Sequence, residues 1–270
     1  MVMINGVYID INLKNLWDRN SLDRLNDKNT DRVYIIDGRE RSGKSTFAIQ
    51  QACALEPSLL ESPEKFVSRI VFTPEDFHEV IRNTKNGVII FDEAFRGMSI
   101  RSTMSKVNKN IIQTLMEMGQ NNNIVFIVLP SFFMLDLYPA MLRSDGLFNI
   151  YENRRSKRRC FRGWNRADKN RMYQIGAKKG WNYIIKSRFR GCFSKAFPGG
   201  VEFEKAYIKK KENALKKMFK EPETQDSFYI FAEAMRKEGK TWEDIGKHYG
   251  LAADSARIRH RRTNIRLNVI

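Results

Sequence analysis

Ile35-Ile36-Asp37-Gly38-Arg39-Glu40-Arg41-Ser42-Gly43-Lys44-Ser45-Thr46 is the stretch whose reading decides the fold. Val33 to Ile36 is an apolar run of the length of a buried strand, and Thr46 to Ala54 reads as a helix. Between them lies the pattern Gly-x-x-x-x-Gly-Lys-Ser, in the strand–loop–helix context that a phosphate-binding loop needs. Such a loop turns successive backbone N–H groups and the positive end of the new helix toward one point. Gly38, Arg39, Glu40, Arg41, Ser42, Gly43, Lys44, Ser45 and Thr46 are therefore the candidate nucleotide-binding residues. Lys44 has the reach for the β- and γ-phosphates of ATP, and the Ser45 hydroxyl is a candidate ligand for Mg²⁺. Arg41 stands where many such loops carry another glycine.

Outward from the loop, Gly87-Val88-Ile89-Ile90-Phe91-Asp92-Glu93-Ala94 has the form of a central strand ending in two acids. In parallel α/β sheets that end of a strand faces the ligand crevice. Asp92 is the candidate for the magnesium shell, and Glu93 the candidate that orients or deprotonates an attacking water. Ile124 to Pro130 is a further buried strand with Ser131 at its end, a sensor candidate for the γ-phosphate. Val7 to Leu13 alternates like an edge strand or hairpin, and Leu147 to Tyr151 reads as the last core strand. Thr73-Pro74-Glu75-Asp76 carries the start signal of a helix.

Charge divides the 270 residues into two unlike halves. Residues 1–150 hold 17 Lys+Arg against 18 Asp+Glu, whereas residues 151–270 hold 31 against 13. A near-neutral half joined to a strongly basic one fits a catalytic core with an extension that binds a polyanion, nucleic acid in view of the nucleotide loop, and otherwise a solvated basic surface that aids solubility. Arg154, Arg155, Arg158 and Arg159 open the basic half, with Phe161 and Trp164 interleaved. The aromatics read equally as base-stacking platforms or as the small core of a basic hairpin. Val201 to Lys220 reads as a lysine-rich helix. After a polar linker come three short helices, the second opened by Thr241-Trp242-Glu243-Asp244. Their apolar spacing is that of a helix-turn-helix, whose third helix carries Arg257, Arg259, Arg261 and Arg262 toward DNA; small three-helix bundles that dock proteins share the same spacing. The expected divisions are 1–30, a strand or hairpin extension; 31–151, the core; 152–221, the basic extension; and 222–270, the helical bundle. Cys53, Cys160 and Cys192 show no paired metal spacing and read as free thiols of a reducing cytosol. No signal peptide or membrane-spanning run is visible, so a cytoplasmic protein is expected, in the host cytoplasm if the chain is viral.

The loop around Lys44 and Ser45, the acids Asp92 and Glu93, and the further strand ending in Ser131 together resemble the additional-strand catalytic-glutamate class of P-loop ATPases. Within that class residues 30–151 resemble the FtsK/HerA-type DNA pumps, which include zonular occludens toxin-like proteins and viral genome-packaging ATPases. The resemblance implies a RecA-like α/β core with a parallel sheet, ATP and Mg²⁺ as cofactors, and a ring of five or six copies. It also implies an arginine finger donated between subunits, for which Arg143 is preferred over Arg101 and Arg96. The expected activity is ATP hydrolysis coupled to DNA movement. The loop also looks like that of thymidylate-type kinases, with the arginine-rich 154–166 stretch as a lid over ATP. A DNA-binding regulator that uses ATP as a switch is the third reading.

Overall fold

The computed structural model describes residues 2–4, 6–92, 101–176, 178–180, 182–219 and 227–267. Within these, side chains at 101–108, 120, 217–219, 227–228, 230 and 262–267 are left aside. Glu93 and Arg96 therefore lie outside the described residues, and so do the side chains of Arg101 and Arg262. The chain divides into two compact units, Met1–Ala214 and Leu215–Ile270. The segments 1–30 and 152–214 thus belong to the same unit as the core.

That unit begins with a hairpin, β1 (Val2–Ile4) and β2 (Val7–Ile9), and two helices, α1 (Ile11–Arg19) and α2 (Leu22–Asp27). The alternation read over Val7 to Leu13 stops at Ile9, because the Asp10 carboxylate accepts from Asn12 N and caps α1. β3 (Arg32–Gly38) leads through the loop into α3 (Lys44–Leu55). Next come α4 (Pro63–Ser68), β4 (Ile70–Val71), α5 (Pro74–Asn83) and β5 (Val88–Phe91). Thr73 caps α5, its Oγ1 accepting from Asp76 N at 3.1 Å. α6 (Arg101–Glu117), β6 (Ile124–Val128), a π-helical turn (Tyr138–Arg143) and β7 (Gly146–Glu152) complete the core. β8 (Arg159–Asn165), α7 (Arg166–Gly176), β9 (Phe189–Cys192) and α8 (Val201–Phe219) follow.

Among the described residues the main sheet has seven strands in the order β4-β5-β6-β3-β7-β8-β9. β4 to β7 run parallel, and β8 and β9 are added antiparallel at one edge. The parallel strands read as unbroken apolar runs because both faces are covered. The period of two separates the faces. Tyr34, Ile36, Ile90, Phe126 and Val128 pack with Phe47 of α3, while Val33, Ile35, Ile89, Val125 and Ile127 pack with Ile111 and Leu115 of α6.

The basic stretch is built into this sheet, and two readings change with it. Phe161 and Trp164 are buried on β8, and Trp164 Nε1 donates to the Ile185 carbonyl, so both are core rather than stacking platforms. A kinase-type lid at 154–166 is likewise ruled out for Arg159–Asn165, which pairs residue for residue with β7. The cysteine reading is also corrected. Cys160 and Cys192 are direct cross-strand partners in the β8–β9 ladder and form a disulfide, leaving Cys53 as the buried free thiol.

In the second unit α9 (Ser227–Lys237), α10 (Trp242–His248) and α11 (Ala253–Leu267) enclose Ala232, Ile245 and Ala256. The capping box at Thr241 and Asp244 is formed in both directions. Among the described residues no helix is long and apolar enough to cross a membrane.

A buried lysine gives the fold a pH signature. The Lys169 ammonium of α7 caps the carbonyls of Ala140 and Met141 at the end of the π-helical turn. Burial, aided by Arg166, lowers its pKa to about 7. Between that value and the ordinary lysine range the unfolded chain binds the extra proton, so stability rises with pH across that window. Urea titrations from pH 7.5 to 8.5 should show wild-type stability gaining up to about 1.4 kcal/mol per pH unit over Lys169→Met. Parallel pH dependences for the two proteins would show that Lys169 stays charged in the fold.

Candidate functional site

The loop joins β3 to α3 at the C-terminal end of the parallel strands. Gly38 has φ +144°, and a Cβ there would run into the Ile150 carbonyl oxygen of β7. Gly43, with φ +97°, is the N-cap of α3, and no side chain caps that helix. Its first amides are therefore left for a ligand or water. Arg41, standing in place of the usual glycine, takes φ +58° and keeps the left-handed turn that the position requires. Arg39, Glu40 and Arg41 are exposed, whereas Ser42 is buried with its Oγ lacking a partner among the described residues.

Lys44 Nζ folds back over the loop and donates to the carbonyls of Gly38 and Arg39, each at 2.8 Å. Ser45 Oγ donates to Asp92 Oδ1 at 3.1 Å. Two motifs separated by 47 residues therefore meet at one point, where a hydroxyl and a carboxylate converge. Asp92 itself is fully buried. Its Oδ2 accepts from the Tyr207 hydroxyl of α8 at 2.7 Å, and Lys211 Nζ donates to that same hydroxyl at 3.2 Å. The tyrosine was not visible in sequence, because nothing local in a lysine-rich helix marks one aromatic as reaching a strand end 115 residues earlier.

Asp37, at the end of β3, anchors a second polar network behind the loop. Its carboxylate accepts from Asn149 Nδ2 at 2.9 Å, from Phe132 N at 2.8 Å and from the Tyr183 hydroxyl. Asn149 Oδ1 accepts in turn from Arg162 at 2.7 Å. The Arg162 guanidinium lies against the rings of Tyr151, Trp164 and Tyr183. Ser131, the sensor candidate, lies near the Tyr183 hydroxyl and partly offsets the rise in its pKa that burial causes. Asp37 thus ties the ends of β3, β6 and β7 together. A charged residue closing an apolar strand is the signal that marks it in the sequence.

The arginines divide differently from the sequence reading. Arg143, the preferred finger, is paired with Asp31, and its Nε donates to the Leu115 carbonyl at 3.1 Å. Asp31 precedes β3, at the end of the sheet away from the loop, so this guanidinium holds the start of the sheet together. A finger donated to a neighbouring subunit would have to leave this pair with Asp31. Arg154, Arg155 and Arg158 are exposed between β7 and β8, and Arg257, Arg259 and Arg261 are exposed on α11. Arg159 lies against the loop at Gly43.

No family model matches the chain, and no curated protein matches it. Among solved structures, the N-terminal domain of zonular occludens toxin from Neisseria meningitidis is similar to it at 16% identity and a TM-score of 0.36. The likeness covers 61% of this chain and 94% of that one. At such a TM-score it carries no argument about fold or function.

Asp37 supplies the site's own measurable. Burial raises its carboxyl to about 6 against the opposing pull of Tyr183, Asn149, Phe132 N–H and Lys44. Because the folded pKa lies above the unfolded one, the associated stability is complete below the ordinary aspartate range and is lost as pH rises through about 6. Wild type should lose on the order of 3 kcal/mol relative to Asp37→Asn between pH 3.5 and 7. The Asp37 carboxyl carbon should titrate near 6 by NMR, and a midpoint below 4 would contradict the burial argument.

Proposed function

We propose that the chain is a P-loop ATPase that works on DNA, as the motors of genome packaging and translocation do. The observation that carries this reading is the hydrogen bond from Ser45 to Asp92 across the intervening strand β6. A strand inserted between the loop strand and the acid strand is the arrangement expected of the additional-strand class that the sequence resembles. Ser131, just after that inserted strand, is the residue proposed to sense the γ-phosphate, and Tyr183, which bonds Asp37 at the β3 end, lies near it.

The residues present fit ATP and Mg²⁺. Ser42 Oγ is a buried polar atom without a partner, Gly43 leaves the end of α3 bare, and Lys44 covers carbonyls that an incoming anion would displace it from. Ser45 Oγ and Asp92 would hold the Mg²⁺, whose remaining positions go to phosphate oxygens and water. When bound, MgATP supplies the γ-phosphoryl group and the cation that offsets its charge. The loop amides and Lys44 would orient it. Glu93, next after Asp92 in the chain, is the residue proposed to position the attacking water.

DNA is proposed as the partner on charge and exposure. The arginines between β7 and β8 and those of α11 lie at the surface. Ala256 faces the core of the second unit while Arg257, Arg259 and Arg261 are exposed, the disposition that a helix-turn-helix reading requires. Assembly into a ring is proposed with the same reading, because a finger supplied between subunits needs a neighbour.

Steady-state ATPase assays with and without duplex DNA test this directly. Hydrolysis should need Mg²⁺, rise with duplex, and fall at least a hundredfold in Lys44→Ala and in Glu93→Gln. Reversing Arg257, Arg259 and Arg261 to Glu should weaken duplex binding at least tenfold and remove the stimulation. Phosphate transfer to a nucleoside monophosphate with no response to DNA would refute the motor, and tight DNA binding without turnover would make the chain a regulator.

A further inference from the structure

We infer that Arg159 is a phosphate ligand of the loop, supplied by the same chain, and not one of the arginines that touch DNA. The inference rests on the ATP-binding reading above and adds a residue to it. It begins with sheet register. Gly38 pairs with Ile150 of β7, so the C-terminal ends of β3 and β7 lie side by side at the loop. β8 returns antiparallel, with Arg159 opposite Glu152. The first residue of β8 must therefore arrive where β3 gives way to the loop.

Its side chain then lies across Gly43. Arg159 Cδ, Nε and Cζ stand 2.7, 3.0 and 3.2 Å from where a Cβ on Gly43 would be. This glycine has two reasons to lack a side chain: its positive φ, and the guanidinium packed on it. Arg159 is half-buried, and among the described residues its side chain has no hydrogen-bond or ion-pair partner, Glu152 across the ladder included. A partly buried guanidinium with no carboxylate partner among the described residues is an unfavourable arrangement until an anion arrives. The planar fork matches two phosphate oxygens at once. Ser42 is an independent sign of the same ligand: the side chain is buried beside Gly38, and its Oγ has no partner among the described residues. Arg154, Arg155 and Arg158, by contrast, are exposed and keep the DNA assignment.

Binding of fluorescent ADP and ATP analogues to the full chain, beside duplex binding by anisotropy, separates the two roles. Arg159→Ala should raise the nucleotide Kd at least tenfold and leave duplex affinity within twofold of wild type. Arg159→Lys keeps the charge but loses the fork, so its nucleotide Kd should fall between the two, and it carries the test if the alanine variant fails a thermal-melt check. Wild-type nucleotide affinity in Arg159→Lys and Arg159→Ala overturns the inference, as does a loss confined to duplex binding. Lys44→Ala distinguishes the failures. If wild type itself binds no nucleotide, the loop reading falls and takes Arg159 with it. If Lys44→Ala abolishes binding that Arg159→Ala retains, only the role given to Arg159 falls.

Discussion

The contact between Ser45 and Asp92 depends on a spacing that the sheet alone can set. β3 and β5 are not neighbours; β6 lies between them and pairs with both. Adjacent strands stand about 4.8 Å apart, so the two strand ends are about 10 Å apart. The loop and the first turn of α3 bring the hydroxyl across that gap to 3.1 Å from the carboxylate. The apolar faces of β3, β5 and β6 keep the gap constant, since a one-residue slip in any of them would turn its core face over. The long buried runs thus do more than fill the interior. They fix the distance at which two polar atoms meet.

Polar satisfaction then shapes everything behind the loop. Asp37 sits in a region where an unpaired carboxylate would be costly, and it is held by three donors from three different segments. One of these, Tyr183, comes from an irregular stretch, and another, Asn149, is itself held by Arg162 of β8. Gln50 of α3 likewise donates to the carbonyls of Ser194 and Ala196, each at 2.9 Å, and Trp17 of α1 donates to Gln51 at 2.9 Å. The helix that follows the loop is therefore clasped by the N-terminal helices on one side and by the basic half on the other. This explains why segments 1–30 and 152–214 share one compact unit with the core.

Much of the core could be read from the residues, because its signals are local. The glycine pattern, the apolar runs ending at Asp37 and Phe91, and the caps at Thr73 and Thr241 each act within a few positions. What escaped the sequence was set by long-range pairing. Cys160 and Cys192 look unrelated until the β8–β9 register places them opposite one another. Tyr207 and Asp92, or Asp37 and Tyr183, are joined only by the packing of whole elements. The pairing of Arg143 with Asp31 has the same origin: the return of β7 beside β3 brings the two together.

The arginines show how far a charge count can carry an argument. A total of 31 basic residues after position 150 gives a field, and a field favours a polyanion whatever each side chain does. Yet Arg162 is spent inside the protein, against three rings and an asparagine, and Arg159 is turned toward the loop. On the proposed reading the exposed arginines between β7 and β8 and along α11 are the ones to meet a duplex, so the salt dependence of its binding should reflect a number of contacts well below the basic total. A charge count can propose a class of partner; burial and pairing decide which cations lie at the surface to meet one.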